Sequence, residues 1–317
     1  MIFFGEDGSG SFLLENALTV EINSELGVPA DDMTVSFSCD SVPHLRRIYA
    51  AKDGASSLEQ ARARGALLFA GIVDEQVTSV EPFGSTVTVY ARSLAALPLD
   101  NECESGQYVD PTLEVMFKKH LERFGIKSGS KLRKSCSGGV MNISKGQSHY
   151  AAVRKFCTVF LGTIPRVDSV GVFRSDVYET GETVVFGSGG VDFIGMTVRE
   201  RRCVRVSCVT AVSNGGVIRV RNRGAEGDGI IREKRISLLD SSTGTLSDAD
   251  SIIKSGERKR LTVSLRCVGM LGDIVGSKAK LDRDGFSTLS FVVVKTKYKA
   301  GQGGDTTDVV LALSEKE

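Results

Sequence analysis

The sequence feature that most constrains the fold is an alternating β-hairpin followed closely by an amphipathic helix. The two strands are predicted over Leu67–Asp74 and Thr86–Arg92. In the second strand Val87, Val89 and Ala91 fall on one face and polar residues fall on the other. This period of two is typical of a strand with one packed and one solvated face. A small β-domain is therefore predicted to end here, with a helical insertion after it.

The helix is predicted to begin at Asp110 and Pro111, because aspartate caps helices and proline is favoured at the first helical position. Its buried stripe recurs at helical spacing and consists of Leu113, Met116, Phe117, His120, Leu121 and Phe124. Gly125 follows, where a left-handed residue would end the helix. A second helix is predicted to begin near Ser148 and to end at Gly162. Its stripe consists of Tyr150, Val153, Cys157, Phe160 and Leu161.

Period-two alternation also predicts strands on both sides of these helices. Two of them precede the hairpin, at Phe12–Ile22 and Met33–Ser38. A later strand has Val204, Val206, Cys208 and Val212 on one face. It is followed by the turn Ser213-Asn214-Gly215-Gly216, since Asn-Gly favours a tight hairpin turn. The return strand is predicted to place Ile218 and Val220 inside and Arg219, Arg221 and Arg223 outside.

The C-terminal part of the chain predicts one more hairpin and one short helix. Phe291, Val293 and Lys295 alternate with Val292, Val294 and Thr296, and a glycine-rich turn leads to a strand from Val309 to Leu313. The short helix is predicted over Asp248–Lys259. Both ends of the chain are therefore predicted to be β, with helices between them.

Composition and length fit a chain of several β-rich domains. With 35 glycines, six prolines and no tryptophan, the sequence predicts many turns between short strands. Its 317 residues exceed a typical domain. The predicted fold class is mainly β with a small α/β insertion (α+β). We predict a first β-domain at residues 1–97, an α/β middle domain at 98–165 and a second β-domain at 166–317.

Seven cysteines are scattered along the chain without a C-x-x-C pair. An odd, dispersed set argues against a disulfide framework and against a zinc site, which needs clustered ligands. Cys157 falls in a helical pattern and Cys208 in a strand pattern. Both are predicted to be small buried hydrophobes.

Candidate catalytic residues are few and do not form a motif. His44, His120 and His149 are the possible general bases or ligands; His120 lies on a helical stripe and His149 at a helix start, so packing or capping roles are predicted. Cys136 is the candidate thiol if a histidine lay beside it. The sequence contains neither G-x-S-x-G nor H-E-x-x-H. We predict no enzyme activity and no catalytic, cofactor-binding or metal-binding residues.

Charge is distributed unevenly although the net charge is only +1. Residues 1–60 carry ten acidic and three basic residues, a net of −7, and residues 190–235 carry ten basic and five acidic residues, a net of +5. Solvated strand faces would explain this, and so would packing of acidic on basic surfaces in an assembly. The arginines concerned are Arg199, Arg201, Arg202, Arg205, Arg219, Arg221 and Arg223.

The same arginines could follow a phosphate backbone. However, residues 194–235 contain no Phe, Tyr or Trp, the side chains on which nucleic-acid surfaces stack bases. We therefore predict no specific nucleic-acid binding. The sequence also lacks an apolar run of membrane-spanning length and a signal-peptide pattern at its N-terminus. We expect the chain to be made in the cytoplasm, and we expect no direct membrane insertion.

The order of these landmarks resembles the baseplate hub family of contractile phage tails, including Mu-like hubs and the hub proteins of Gram-positive prophages and phage-tail-like bacteriocins. The resemblance spans most of the chain. It rests on Phe69–Asp74, Val87–Ser93, Leu99–Glu102, Pro111, His120–Ile126, Lys145–Ser148 and the terminal hairpin.

This resemblance implies a structural protein of the virion or tail-like particle baseplate. Hubs of this family are homotrimers in which each subunit offers two tube-protein-like β-barrels, flanking the middle domain and able to exchange strands. The trimeric ring adapts a threefold spike to the sixfold tail tube. Implied partners are the tail spike protein, the tail tube protein, and other baseplate and tape-measure proteins. A β-barrel module that binds nucleic acid or carbohydrate without catalysis is the alternative.

Overall fold

The computed structural model describes residues 1–39, 44–82, 84–132, 139–180, 183–213, 216–237 and 246–314. Within them the protein is mainly β, with a large antiparallel sheet. The chain forms two compact units, and the backbone passes from one to the other several times. The first unit comprises Met1–Gly181, Val268–Gly276 and Lys295–Asp308. The second unit comprises Glu182–Cys267, Ser277–Val294 and Val309–Glu317.

The first unit is built mostly on antiparallel strands. In chain order these are β1 (Ile2–Glu6), β2 (Ser11–Leu14), β3 (Ala17–Glu25), β4 (Asp32–Ser38), β5 (Arg47–Ala51), β6 (Leu67–Glu81), β7 (Gly84–Ser93), β8 (Gly106–Val109), β9 (Lys127–Ser128), β10 (Val140–Ile143), β11 (Arg166–Val167) and β12 (Val172–Arg174). The first seven strands form one stretch of the large sheet, in the order β3-β4-β7-β6-β5-β1-β2. Separate small sheets pair β8 with β10, and β12 with β11 and β9.

The helices of the first unit are α1 (Leu58–Ala63), α2 (Ala96–Asp100), α3 (Leu113–His120) and α4 (His149–Phe156). A single 3₁₀ turn, Glu122–Phe124, follows α3, and a π-helical segment, Cys157–Leu161, continues α4. A further 3₁₀ turn lies at Val177–Thr180.

The predicted hairpin is confirmed as β6 and β7, which pair antiparallel. Val87, Val89 and Ala91 face the core and are at most 3% exposed. β7 pairs with β4, and these residues lie opposite Phe37, Val35 and Met33 of β4, respectively. Alternation therefore identified the packed face of this strand correctly.

The start of α3 differs from the prediction. Thr112 is the N-cap, and its hydroxyl accepts a hydrogen bond from the Val115 amide. Asp110 instead has a left-handed backbone (φ 48°), and its carboxylate accepts the Gly139 amide across the β8–β10 pair. Aspartate tolerates this conformation, so its side chain serves the loop rather than the helix. The predicted end is confirmed only in part: Gly125 is left-handed (φ 80°) as predicted, but it ends the 3₁₀ turn Glu122–Phe124, whereas α3 itself ends at His120.

The second predicted helix is confirmed as α4 and its π-helical continuation. The Ser148 hydroxyl caps the first turn by accepting the Ala151 amide, and the helical segment ends at left-handed Gly162. Cys157 is fully buried, as predicted. The two helical stripes meet in one hydrophobic cluster whose members include Leu113, Met116, Phe117, Leu121, Tyr150, Val153 and Phe156.

The second unit holds the remaining strands and two helices. The strands are β13 (Thr183–Gly187), β14 (Phe193–Glu200), β15 (Cys208–Ser213), β16 (Gly216–Arg221), β17 (Glu233–Ser237), β18 (Leu261–Val268), β19 (Lys278–Asp282), β20 (Phe291–Gly301) and β21 (Gly304–Leu313). The helices are α5 (Arg223–Gly227) and α6 (Leu246–Arg260), and Arg202–Val204 is a 3₁₀ turn. Parts of β20 and β21 belong to the first unit.

The connection between β14 and β18 folds as a small sheet covered by a helix. β15 is its central strand and pairs antiparallel with β16 and parallel with β17. Val206, Val209 and Ala249 form its buried cluster, with Val220 and Ile236 packed against them. The predicted helix at Asp248–Lys259 is confirmed as α6, which packs on this sheet.

Three details of the β15–β16 hairpin were predicted wrongly, the simplest being that Arg223 lies in α5 rather than on the return strand. The first strand begins at Cys208 rather than Val204, because residues 202–204 form a 3₁₀ turn. Ile218 is 42% exposed, since it lies outside the cluster that packs against α6. Cys208 is buried, as predicted. The centre of the predicted turn, Asn214 and Gly215, lies outside the described residues.

The terminal hairpin is confirmed, because β20 and β21 are neighbouring strands. The strand order of the large sheet is an open path in the described ranges, and no closed barrel is seen there. The two-barrel arrangement and the division at residues 97 and 165 stay predictions.

Candidate functional site

The two helical histidines face each other inside the first unit. His120 lies at the end of α3 and His149 at the start of α4. Their Nδ1 atoms are 2.9 Å apart, and the Tyr108 hydroxyl lies 3.0 Å from Nε2 of His120. One Nδ1 must carry a hydrogen and donate it in a hydrogen bond, and the other Nδ1 must accept that bond with its lone pair. The pair thus joins the two helices as a neutral hydrogen-bonded contact.

The surroundings of this pair favour the neutral form. Burial, together with the interactions with His149, Lys119 and Arg123, lowers the pKa of His120 to about 4. Burial also lowers the pKa of His149, together with the charges of Arg123 and Lys119. Both rings are therefore uncharged near pH 7, a state suited to packing. His44, the third histidine, is exposed.

The buried thiol of Cys103 does not show the pattern of an activated nucleophile. Cys103 lies near the start of α4 and donates to the main-chain oxygen of Gln147 at 3.2 Å. Burial raises the pKa of this thiol, whereas a reactive cysteine needs a lowered pKa. Cys136, the candidate nucleophile, lies outside the described residues.

A buried arginine cluster that the sequence did not indicate lies in the first unit. The Arg166 guanidinium donates to Asp31 at 2.9 Å and to Asp273 at 2.7 Å. The Ser169 hydroxyl donates to the same Asp31 oxygen at 2.8 Å. Burial raises the pKa of Asp31 to about 6, although Arg166 opposes this shift. We call these residues the Arg166 cluster.

A small polar cavity lies beside the Arg166 cluster. Its volume is about 20 Å³, enough for one water molecule. Its polar lining includes Ser24, Ser169, Asp273, Thr296 and Thr307. A cavity of this size does not accommodate an organic substrate.

A second arginine cluster lies in the small sheet of the second unit. Arg205 pairs with Asp228 and donates to Glu257 of α6 at 2.8 Å. Asn222 donates to the same Glu257 oxygen at 2.7 Å. The Arg205 side chain is 7% exposed, whereas that of Asp228 is 54% exposed. We call these residues the Arg205 cluster.

The predicted row of arginines is divided among different elements. Arg199 lies on β14, Arg202 lies in the 3₁₀ turn, and Arg223 begins α5. Arg205 is buried in its cluster. Only two residues of the row, Arg219 and Arg221, share one strand face in the described structure.

A third arginine joins them across the small sheet. Thr210 of β15 lies opposite Arg219 of β16 and opposite Arg235 of β17, and residues in direct register share a face. Cys208 lies opposite Arg221. We call Arg219, Arg221 and Arg235 the arginine face. It lies on the side of the sheet away from Val209 and the α6 cluster.

Most of the acidic side chains of residues 1–60 form ion pairs or hydrogen bonds within the same chain. Two carboxylates of β3, Glu21 and Glu25, form ion pairs with β20 at 2.5 Å. Asp31 belongs to the Arg166 cluster, Asp53 pairs with the N-terminal amine, and Asp7 accepts hydrogen bonds from Ser9. Glu6 accepts a hydrogen bond from Tyr49, and Asp32 accepts one from Asn23. Seven of the ten acidic residues therefore have internal partners.

Among the described residues, no group of three or more histidine, cysteine, aspartate or glutamate side chains is arranged to hold a metal ion. Within the same ranges, no helix has the length and apolar character needed to cross a bilayer.

No protein-family model matches the sequence, and no curated protein matches it. Solved structures do match. A tail protein from Neisseria meningitidis MC58 is 14% identical with a TM-score of 0.74, over 98% of this chain and 96% of that one. The 43 kDa tail protein of prophage MuSo2 from Shewanella oneidensis is 15% identical with a TM-score of 0.71, over 98% and 97%.

A third match is the Escherichia coli c3393 protein, described as a component of the type VI secretion system with structural similarity to the T4 bacteriophage tail proteins gp27 and gp5. It is 12% identical with a TM-score of 0.57, over 95% of this chain and 74% of that one. The chain therefore has the fold of phage tail proteins over nearly its full length.

Proposed function

We propose that this chain is a structural baseplate hub of a contractile tail or tail-like particle. In this role it forms a homotrimeric ring that adapts a threefold spike to the sixfold tail tube. The observation that carries the proposal is the fold shared with two tail proteins over 98% of the chain.

The buried polar groups support a role that depends on surfaces rather than on catalysis. His120 and His149 are neutral and face each other. Arg166 is held between two carboxylates. Each of these groups stabilises the fold, and none is directed at a cavity of substrate size. We therefore propose a protein without enzyme activity or cofactor.

The proposed partners are those of a hub. They are two further copies of this chain, the tail spike protein, the tail tube protein, and other baseplate and tape-measure proteins. The site of action is the baseplate of a virion or tail-like particle. We propose that the β-regions at residues 1–97 and 166–317 supply the two tube-like barrels of each subunit and that residues 98–165 form the middle domain.

Deletion of the gene in the producing bacterium tests the role in assembly. Electron microscopy of the lysate should show no complete tails, and a plasmid copy of the gene should restore them. Normal, contractile tails without this chain would overturn the proposal. The plasmid carrying K52E serves as a matched control, because Lys52 is exposed.

Native mass spectrometry tests the trimer. The purified chain should have three times the mass of one subunit, alone or after addition of the spike protein encoded beside it. A monomer that persists in the presence of the spike, or a stable dimer, would contradict the ring.

A further inference from the structure

The segment Val268–Gly276 belongs to the first unit, although it connects β18 and β19 of the second unit. Two direct contacts hold it in the first unit. At its beginning, Gly269 donates its amide to a main-chain oxygen of β21 at 2.9 Å and accepts the Thr307 hydroxyl at 2.6 Å. Further along, Asp273 accepts a hydrogen bond from Arg166 at 2.7 Å. The part of the segment between these contacts has no other hydrogen bond to the sheet among the described residues.

The small polar cavity beside the Arg166 cluster lies between this segment and the large sheet. Its lining on the side of the segment consists of Met270, Leu271, Gly272 and Asp273. Three neighbouring strands contribute polar side chains from the other side, namely Ser24 of β3, Thr296 of β20 and Thr307 of β21. All of these residues lie in the first unit. A molecule in the cavity would therefore contact both the segment and the sheet.

One side chain of this lining is buried and has no hydrogen-bond partner. Thr296 is 6% exposed and lines the cavity. Its hydroxyl makes no hydrogen bond to any of the described residues. Buried hydroxyl groups are almost always hydrogen-bonded, because an unpaired one has lost water without gaining a partner. The hydroxyl of Thr296 therefore indicates that the cavity holds a polar molecule.

Three other oxygen atoms of the lining are available as acceptors. Arg166 donates to Oδ2 of Asp273, so Oδ1 of the same carboxylate remains an acceptor. The Thr307 hydroxyl donates to the segment, and the Ser169 hydroxyl donates to Asp31. A hydroxyl that donates one hydrogen bond still has lone pairs with which to accept another. The cavity thus combines one donor, the Thr296 hydroxyl, with three acceptors.

We propose that the cavity binds one ordered water molecule that fastens Val268–Gly276 to the large sheet. The water accepts a hydrogen bond from Thr296 and donates to Asp273 and Thr307, and three such bonds are typical of a bound water. The cavity volume of about 20 Å³ admits a single water molecule. Because the Asp273 side chain is 24% exposed, the water can enter from solvent. The site does not depend on the hub role, since it lies within one chain.

Ions fit the cavity less well than water does. The Asp273 carboxylate in the lining would repel an anion. The Arg166 guanidinium, 2.7 Å from that carboxylate, would oppose a cation. An ion also supplies only one of the two kinds of partner that the lining requires, whereas water both donates and accepts hydrogen bonds.

A crystal structure of the full chain, at a resolution that shows ordered waters, tests for the molecule directly. We expect one density peak in the cavity, about 3 Å from the Thr296 hydroxyl and from a carboxylate oxygen of Asp273. A cavity without a peak would overturn the proposal. A peak surrounded by oxygen atoms at about 2.0–2.6 Å, the distances of a bound metal ion, would overturn it as well.

Hydrogen exchange of the full chain, read by mass spectrometry, measures the role of the water in solution. T296V removes the hydroxyl and should make amide exchange in residues 268–276 about fivefold faster, the equivalent of one lost hydrogen bond. T296S keeps the hydroxyl and should exchange at the wild-type rate. T210V, at a buried threonine of the second unit, is the control and should leave this segment unchanged. Wild-type exchange in T296V, or faster exchange in T296S than in T296V, would contradict the proposal.

Discussion

The Arg166 and Arg205 clusters contain the same kinds of charged groups, but their carboxylates differ in exposure to solvent. In each, one buried arginine contacts two carboxylates. Asp31 is 1% exposed in the first cluster, whereas Asp228 is 54% exposed in the second. The pKa of Asp31 is raised to about 6 by burial, and the pKa of Asp228 is lowered by its hydrogen bond with Arg205.

The difference shows that an ion pair has no fixed effect on stability. When water reaches the carboxylate, the arginine only adds a favourable contact. When the carboxylate is buried, the arginine has to offset the cost of removing a charge from water. The first cluster therefore depends on its cation, and the second benefits from it.

The largest expected effect comes from removing each arginine. R166M should lower the free energy of unfolding by about 3–5 kcal/mol, because Asp31 would be left buried without its counter-ion. R205M should cost about 1 kcal/mol, since Asp228 and Glu257 can be hydrated. Denaturant unfolding, with hydrogen exchange to localise the change, measures both. Equal losses would show that burial of the carboxylate is not what separates the clusters.

The pH dependence of the two clusters should have opposite signs. The pKa of Asp31 rises from 3.8 unfolded to about 6 folded, so its contribution is present below 3.8 and is lost as pH rises through 6. The loss corresponds to about 3 kcal/mol. D31N should therefore gain stability relative to the wild type between pH 4 and 7.

Asp228 provides the matched comparison for this titration. Its folded pKa lies below 3.8, so its contribution is present above 3.8 and is lost as pH falls further. D228N should differ most from the wild type at neutral pH and least in acid. The same sign for both variants would contradict the assignment of Asp31 as the buried, desolvated partner.

The histidine pair extends the comparison to buried groups that lack a counter-ion. The pKa of His120 falls from 6.5 to about 4, so stability is complete above 6.5 and is lost as pH falls toward 4. H120N should cost stability at pH 7 but regain about 2 kcal/mol relative to the wild type by pH 4. H44N, at an exposed histidine, is the control. A constant difference across this range would mean that the pKa of His120 is the same in the folded and the unfolded protein.

The smallest expected change in stability comes from a substitution that tests the packing of α6 beside Arg205. A Cβ on Gly256 of α6 would lie 2.7 Å from the main-chain oxygen of Val204, beside Arg205. G256A should therefore lower stability by about 1 kcal/mol, because overpacking exceeds the helical gain of alanine. G227A in α5 meets no atom within 4 Å and should be neutral or stabilising. Thermal unfolding of both variants, compared at equal pH, measures the difference.

Local patterns in the sequence predicted the elements that depend on neighbouring residues. The faces of β7 and the stripes of α3 and α4 follow from periodicity, so Val89 and Met116 were correctly placed in cores. The cap of α3 was predicted wrongly because the left-handed backbone of Asp110 depends on Gly139 across a strand pair. Such a contact leaves no signal in the adjacent residues.

The charged clusters could not be predicted for the same reason. Asp31 and Arg166 are 135 residues apart, and Arg166 and Asp273 are 107 apart. Their meeting depends on the topology of the sheet and on its loops. Arg235 joins the arginine face through a parallel pairing of β17 with β15, and parallel strands have no turn that marks their register.

The division of the terminal hairpin between the two units has a consequence for biosynthesis. Lys295–Ala300 of β20 pair with Val20–Glu25 of β3, and Lys295 and Glu25 are 270 residues apart. While the ribosome makes the intervening chain, this edge of β3 has no strand beside it, and such edges invite aggregation. The β3 edge therefore gains its neighbouring strand only after residues 295–300 have been made, so it stays open to pairing with other chains during the synthesis of about 270 residues.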